Sequence, residues 1–180
     1  RNACLFEPFL NARPEEILRT DPKPPTKELD YLARRGRQGA FHVIGDKGIA
    51  LFLDAYEEVL RNRPGLRDLR IRIEHAQLVR EADIERIARL GILVAAQPTA
   101  LGAPEKDEKL LGCERALRAY PYRSLLEAGV KLSFGSDIPG ECFCDPIRAI
   151  HLAVNRDGPE RIPVETALRC YTEEIGRAHV

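Results

Sequence analysis

The sequence of 180 residues contains no methionine and no tryptophan. It carries no excess of either charge, because Lys+Arg and Asp+Glu number 28 each. Nucleic-acid and anionic membrane surfaces usually demand a basic surplus, so neither partner is expected. No apolar run approaches the roughly 20 residues needed to cross a bilayer. No C-x-x-C pair occurs, and five cysteines is an odd number. Free thiols in a reducing, cytoplasmic setting therefore fit better than a disulfide scaffold. Cys142 and Cys144 could form half of a thiolate metal site, but no second pair at zinc spacing accompanies them. No G-x-G-x-x-G follows a strand pattern and no P-loop is present, which removes the main support for a nucleotide-binding sheet. With 44% hydrophobic and 31% charged residues, the chain is expected to fold as one domain of ordinary size.

The two ends look unlike those of a natural protein. The chain opens on RNACLFEPFL without a start residue, and EIGRAHV at the other end matches a translated sequencing adapter. Residues 1–174 are expected to be part of a longer chain, read from a short contig, and 175–180 to be adapter read-through. His179 is therefore set aside.

Between the ends, strand and helix patterns alternate. PEEI at 14–17 could open one helical turn. Thr26 can cap a helix that ends before Gly39. GAFHVIG (39–45) reads as a buried strand, followed by a helix that stops at Pro64-Gly65. RIRIEHAQ (70–77) is a strand and EADIERIARLG (81–91) a helix closed by glycine. ILVAAQP (92–98) is a strand, and 105–128 is helical in two pieces broken near Pro121. VKLSFGSD (130–137) is a strand. Asp145 and Pro146 open a helix through 156, and a last helix runs over 163–171. This alternation predicts βαβ units and a parallel sheet, as either a doubly wound sheet or a TIM-like barrel.

The strand ends carry His42, His75, Gln97 and Asp137. In barrel enzymes, catalytic groups sit where strands end and the βα loops begin. Parity predicts that Ala40 points inward with His42, Ile71 and Ile73 with His75, and Ser133 and Gly135 with Asp137. On that parity Arg70, Arg72 and Glu74 should face the surrounding helices, an uncomfortable place for charges. Two imidazoles and a carboxylate suit a divalent metal ion. Such an ion lowers the pKa of bound water from 15.7 to about 7, and an aspartate beside that water can act as base. The blander readings are hydrogen-bonded structural histidines and a simple turn at Gly135-Ser136-Asp137-Ile138-Pro139-Gly140. His151, within a helical pattern, is expected to be structural.

FHVIGDKG (41–48), RIEHAQ (72–77), LGILVAAQP (90–98) and LLEAGVKLSFGSDIPG (125–140) resemble, in order and spacing, the amidohydrolase superfamily. The similarity is to the amidohydrolase-3 family, which includes N-substituted formamide deformylases, and covers roughly residues 26–172. The resemblance implies a partial TIM-like (β/α)8 barrel, approximately strands five to eight with their helices. It implies that His42 and His75 bind metal on strands five and six. It further implies that Asp137, on strand eight, contacts metal and acts as general base. The expected cofactor is a divalent metal, zinc favoured, as one or two ions, and the expected partner is a small-molecule substrate. The reaction would be hydrolysis of a non-peptide C–N bond, as in an amide or formamide. Gly45, Asp46, Gln77 and Gln97 stand beside the ligands as candidate substrate or supporting contacts. The family's first-strand H-x-H pair and its bridging ligand have no counterpart here and should lie upstream of Arg1. Four strands cannot close an eight-stranded barrel, so the chain alone is expected to be poorly stable and inactive. Rival readings are another metal-dependent hydrolysis or isomerisation on the same scaffold, an inactive barrel that acts by binding, and a doubly wound domain with structural histidines.

Overall fold

Four strands and eight α-helices alternate along the chain in a computed structural model, which describes residues 3–13, 22–138, 140 and 144–174. The expected turn at 14–17, the adapter-like tail at 175–180, Pro139 and Cys142 lie outside the described residues. The strands are β1 (Ala40–Val43), β2 (Arg72–His75), β3 (Leu93–Ala96) and β4 (Leu132–Phe134). All pair in parallel, in the order β1-β2-β3-β4. A doubly wound sheet reverses its strand order at a switch point, and no reversal occurs among the described strands. Consecutive order with right-handed crossovers places the connecting helices on one face and leaves the other open. The sheet is an arc of parallel βα units of the kind that builds a barrel.

Helix α1 (Thr26–Arg35) ends at Gly36, whose left-handed backbone (φ 61°) returns N–H groups to the Ala33 and Leu32 carbonyls. Helix α2 (Asp46–Asn62) presents Ile49, Phe52, Leu53, Tyr56 and Val59 at helical spacing, all buried. Phe52 meets Phe41 of β1 with ring centroids 5.0 Å apart. Helix α3 (Glu81–Leu90) is tied to α2 by Arg86, which reaches Asp54 at 2.7 Å, Glu57 at 2.9 Å and the buried Asp83 at 3.1 Å.

The region after β3 corrects one expectation. It is helical in three pieces rather than two: α4 (Pro104–Leu111), α5 (Cys113–Arg118) and α6 (Tyr122–Glu127). The additional break is at Gly112, whose φ of 80° a helix cannot accommodate. Helices α7 (Pro146–Asn155) and α8 (Val164–Tyr171) complete the chain. Asp145 caps α7 as its residue type predicts, accepting the Arg148 N–H at 2.9 Å. No described helix is long and apolar enough to cross a membrane.

The register shows which side of the sheet each residue takes. Phe41 aligns with Ile73, Ile73 with Val94, and Val94 with Leu132. Residues in register point to the same face, and Ile73, Val94 and Leu132 are fully buried under the helices. The expectation for β2 is therefore reversed: Ile71 and Ile73 face the helices. His42 aligns with Glu74, Glu74 with Ala95, and Ala95 with Ser133, on the open face. Arg72 and Glu74 belong to that inner face, where they form an ion pair with each other. Two charges that parity assigned to the apolar layer thus escape it and neutralise one another.

Candidate metal centre

His75 shares parity with Ile73, yet its ring lies against His42. The backbone explains this. His75 and Ala76 both adopt left-handed conformations, with φ of 76° and 46°. Such conformations are uncommon outside glycine and need surrounding structure to hold them. The Ala76 N–H donates to the Val43 carbonyl at 3.1 Å, and the Leu78 N–H donates to Ile44 at 3.0 Å. These bonds bind the turn after β2 to the end of β1. The turn carries the imidazole to His42, with ring centroids 4.3 Å apart and ring planes at 70°.

Among the described residues, no hydrogen bond engages either imidazole. His42 is exposed as a whole residue, and partial burial of its ring pushes its pKa below the ordinary 6.5. The neighbouring His75 pushes in the same direction, while Asp137 and Glu74 oppose it. Neutral imidazole is the form that donates to a metal. Asp137 lies close enough to act electrostatically on His42. It is exposed, stands beyond the end of β4, and takes a left-handed backbone (φ 53°). Gly140 closes over it: a Cβ there would fall 2.8 Å from the Asp137 carboxylate, so only glycine lets the turn pack so closely.

The donor set fits a divalent cation in kind, with two imidazole nitrogens and one carboxylate. The two histidines are brought together, with the aspartate within electrostatic range. No described group of three His, Cys, Asp or Glu side chains forms a ready metal cage.

The remaining candidates divide. Gly45 is buried against the Cys4 backbone, which leaves no room for a side chain at that position. The Asp46 carboxylate accepts N–H groups from Phe6 at 3.1 Å and from Lys47 at 2.8 Å. It is thus engaged at the start of α2 and in holding the 3–6 segment. The Gln77 carbonyl accepts the Tyr120 N–H at 2.6 Å. Gln97 is buried at the end of β3, its Nε2 donating to Ala95 at 3.2 Å, while its Oε1 meets no hydrogen-bond donor among the described residues. His151 contacts Asn155 in α7, away from both metal-type histidines. Cys144 is exposed. Sequence reasoning missed Arg72 and Glu74 as members of the inner face, although their strict alternation with the isoleucines was the available signal.

A sequence model of the amidohydrolase family matches residues 1–178. The chain belongs to this family. Its relatives include Protein LONG AFTER FAR-RED 3 of Arabidopsis thaliana, 37% identical, the alignment covering 81% of this chain and 26% of that protein. N-substituted formamide deformylase of Arthrobacter pascens is 35% identical over 83% of this chain and 29% of its own length. The chain therefore spans less than a third of these curated relatives. Among solved structures, a metal-dependent hydrolase from Pyrococcus furiosus superposes with a TM-score of 0.77 at 33% identity. That match covers 99% of this chain and 37% of the hydrolase.

Proposed function

We propose that this chain is one half of the catalytic barrel of a longer metal-dependent hydrolase that cleaves a non-peptide C–N bond, of the amide or formamide type. The observation that carries the reading is the convergence of His42 and His75, from two adjacent strands, with rings 4.3 Å apart at the C-terminal edge of the sheet. His75 reaches that position only through consecutive left-handed residues, a conformation that costs free energy and clusters at functional sites.

In this account His42, His75 and Asp137 would hold a divalent cation, zinc being the preferred ion, with further ligands from outside the chain. The ion supplies Lewis acidity and charge stabilisation when bound. The protein supplies the remaining functions. The two imidazoles stand side by side at the end of the sheet, where each can offer a ring nitrogen. Asp137 accepts a proton from the attacking water at its carboxylate and returns it to the leaving nitrogen. Gly140 leaves that carboxylate room to remain at the mouth of the site. The outer edges of β1 and β4, which pair with no other described strand, are where the other strands would join, so the chain alone would be weakly stable and inactive.

The test is formate release from a panel of N-substituted formamides by the whole protein, before and after chelation and zinc restoration. Release that vanishes with chelation and returns with zinc is expected. Undiminished turnover by the chelated protein would refute metal dependence, and hydrolysis of esters only would refute the C–N assignment.

A further inference from the structure

A cavity of about 720 Å³ opens above the strand ends, between the loops that follow β1, β2 and β3. Phe9, Ile44, Leu78 and Leu110 give it apolar walls, while Asp107 and Tyr120 stand at one side. A second cavity, of about 580 Å³, contains His42. The two adjoin, since Phe9, Ile44 and Gln77 line both. A molecule whose reacting group lay at His42 could therefore extend past Gln77 toward Asp107. Both volumes fall in the range of small-molecule sites.

The polar wall is held firmly. Tyr120 is buried, with a left-handed backbone (φ 54°) and an N–H bonded to the Gln77 carbonyl. Arg156 grips the same turn, donating to the carbonyls of Tyr120 and Ala119, each at 2.9 Å. The Asp107 carboxylate accepts a hydrogen bond from the Tyr120 side chain. Burial nonetheless pushes its pKa upward, against that bond and against the Lys106 and Arg156 charges. A partly desolvated carboxylate with one fixed partner has lone pairs left for a donor. Glu105, Lys106 and Lys109 also line the cavity and, with Asp107, leave it without net charge, so the fixed carboxylate, rather than a net field, is what selects.

We propose that this cavity receives the substituent of the amide substrate, and that Asp107 is a specificity-determining residue favouring an apolar, aryl-sized group tipped with a hydroxyl or amine. The inference rests on the hydrolase reading, which places the scissile bond at His42. Tyr120 and Arg156 are positioning residues that hold the Asp107 carboxylate in place.

The test is calorimetric binding of two slowly reacting amide surrogates to the metal-loaded whole protein. The probes are N-(2-phenylethyl)urea and its 4-hydroxyphenyl analogue. The hydroxyl compound should bind about tenfold more tightly, as one hydrogen bond to a charged group provides. Asp107→Leu should bring the ratio close to one. Asp107→Asn, which keeps the shape, should leave an intermediate ratio, and so should Tyr120→Phe. Equal binding of the two probes, no binding of either, or a preference that survives Asp107→Leu would overturn the proposal. Formate release is measured separately. A hydroxyl preference without any hydrolysis would refute the hydrolase reading and leave the pocket standing.

Discussion

The two faces of the sheet are built on opposite terms. On the helix side, Ile73, Val94, Leu132 and Phe134 are sealed beneath α2, α3, α6 and α8, with no polar group among them. On the inner side, His42, Arg72, Glu74, Ser133 and Gln97 follow one another along and across the strands. The first face supplies the apolar burial that holds the arc together. The second, though buried at Leu93, Ala95, Gln97 and Ser133, gives part of its area to an imidazole, an ion pair and an amide. One sheet thereby separates what folds the chain from what would do chemistry.

The sharpest way to break this division is Asp137→Asn in the whole protein. Turnover of a formamide should fall by about a hundredfold to ten-thousandfold, the range of a lost general base. The denaturation midpoint should hold, because Asp137 is exposed and outside the core. An unchanged kcat would remove the base. The complementary cut is Ile73→Ala, a fully buried side chain on the helix face. It should cost about 3 kcal/mol in urea unfolding, and a loss under 1 kcal/mol would contradict the assignment of β2's faces. Arg86→Ala should be milder, about 2 kcal/mol. It strips the α2–α3 staple and leaves the buried Asp83 to Arg80 alone. Unaltered stability would show that the staple contributes nothing.

The smallest effect is a titration. His42 has its folded pKa below 6.5, first through burial and second through His75. A lowered histidine binds fewer protons folded than unfolded. Its contribution is therefore complete above pH 6.5 and is lost as pH falls from there through the folded value. An NMR titration of His42 in metal-free protein should give a midpoint below 6.5. A midpoint above it would mean that Asp137 and Glu74 outweigh the burial and His75.

Features governed by local chemistry were legible in the sequence. The Asp145-Pro146 start of α7, the glycine that closes α3, and the order of the four strands all follow from caps, periodicity and turns. His42, His75 and Asp137 stand at or beyond strand ends, where the strand patterns put them. Two features were not legible. The side-chain alternation of RIRIEH was correct, but the choice of face assumed that His75 obeys it. The left-handed turn at His75 and Ala76 is held by bonds to Val43 and Ile44, which are distant in sequence. The role of Asp46 was also hidden, because the Phe6 N–H it accepts comes from forty residues upstream. Gly112 broke a helix that its flanking residues favour on propensity alone.

The central claim is that His42 and His75 jointly hold a divalent cation. Metal stoichiometry of the whole protein by elemental analysis, beside a His42→Ala/His75→Ala double variant of confirmed fold, tests it most directly. The account predicts at least one equivalent of zinc in the native protein and a loss of at least one in the variant. Equal metal content in the two proteins would contradict it.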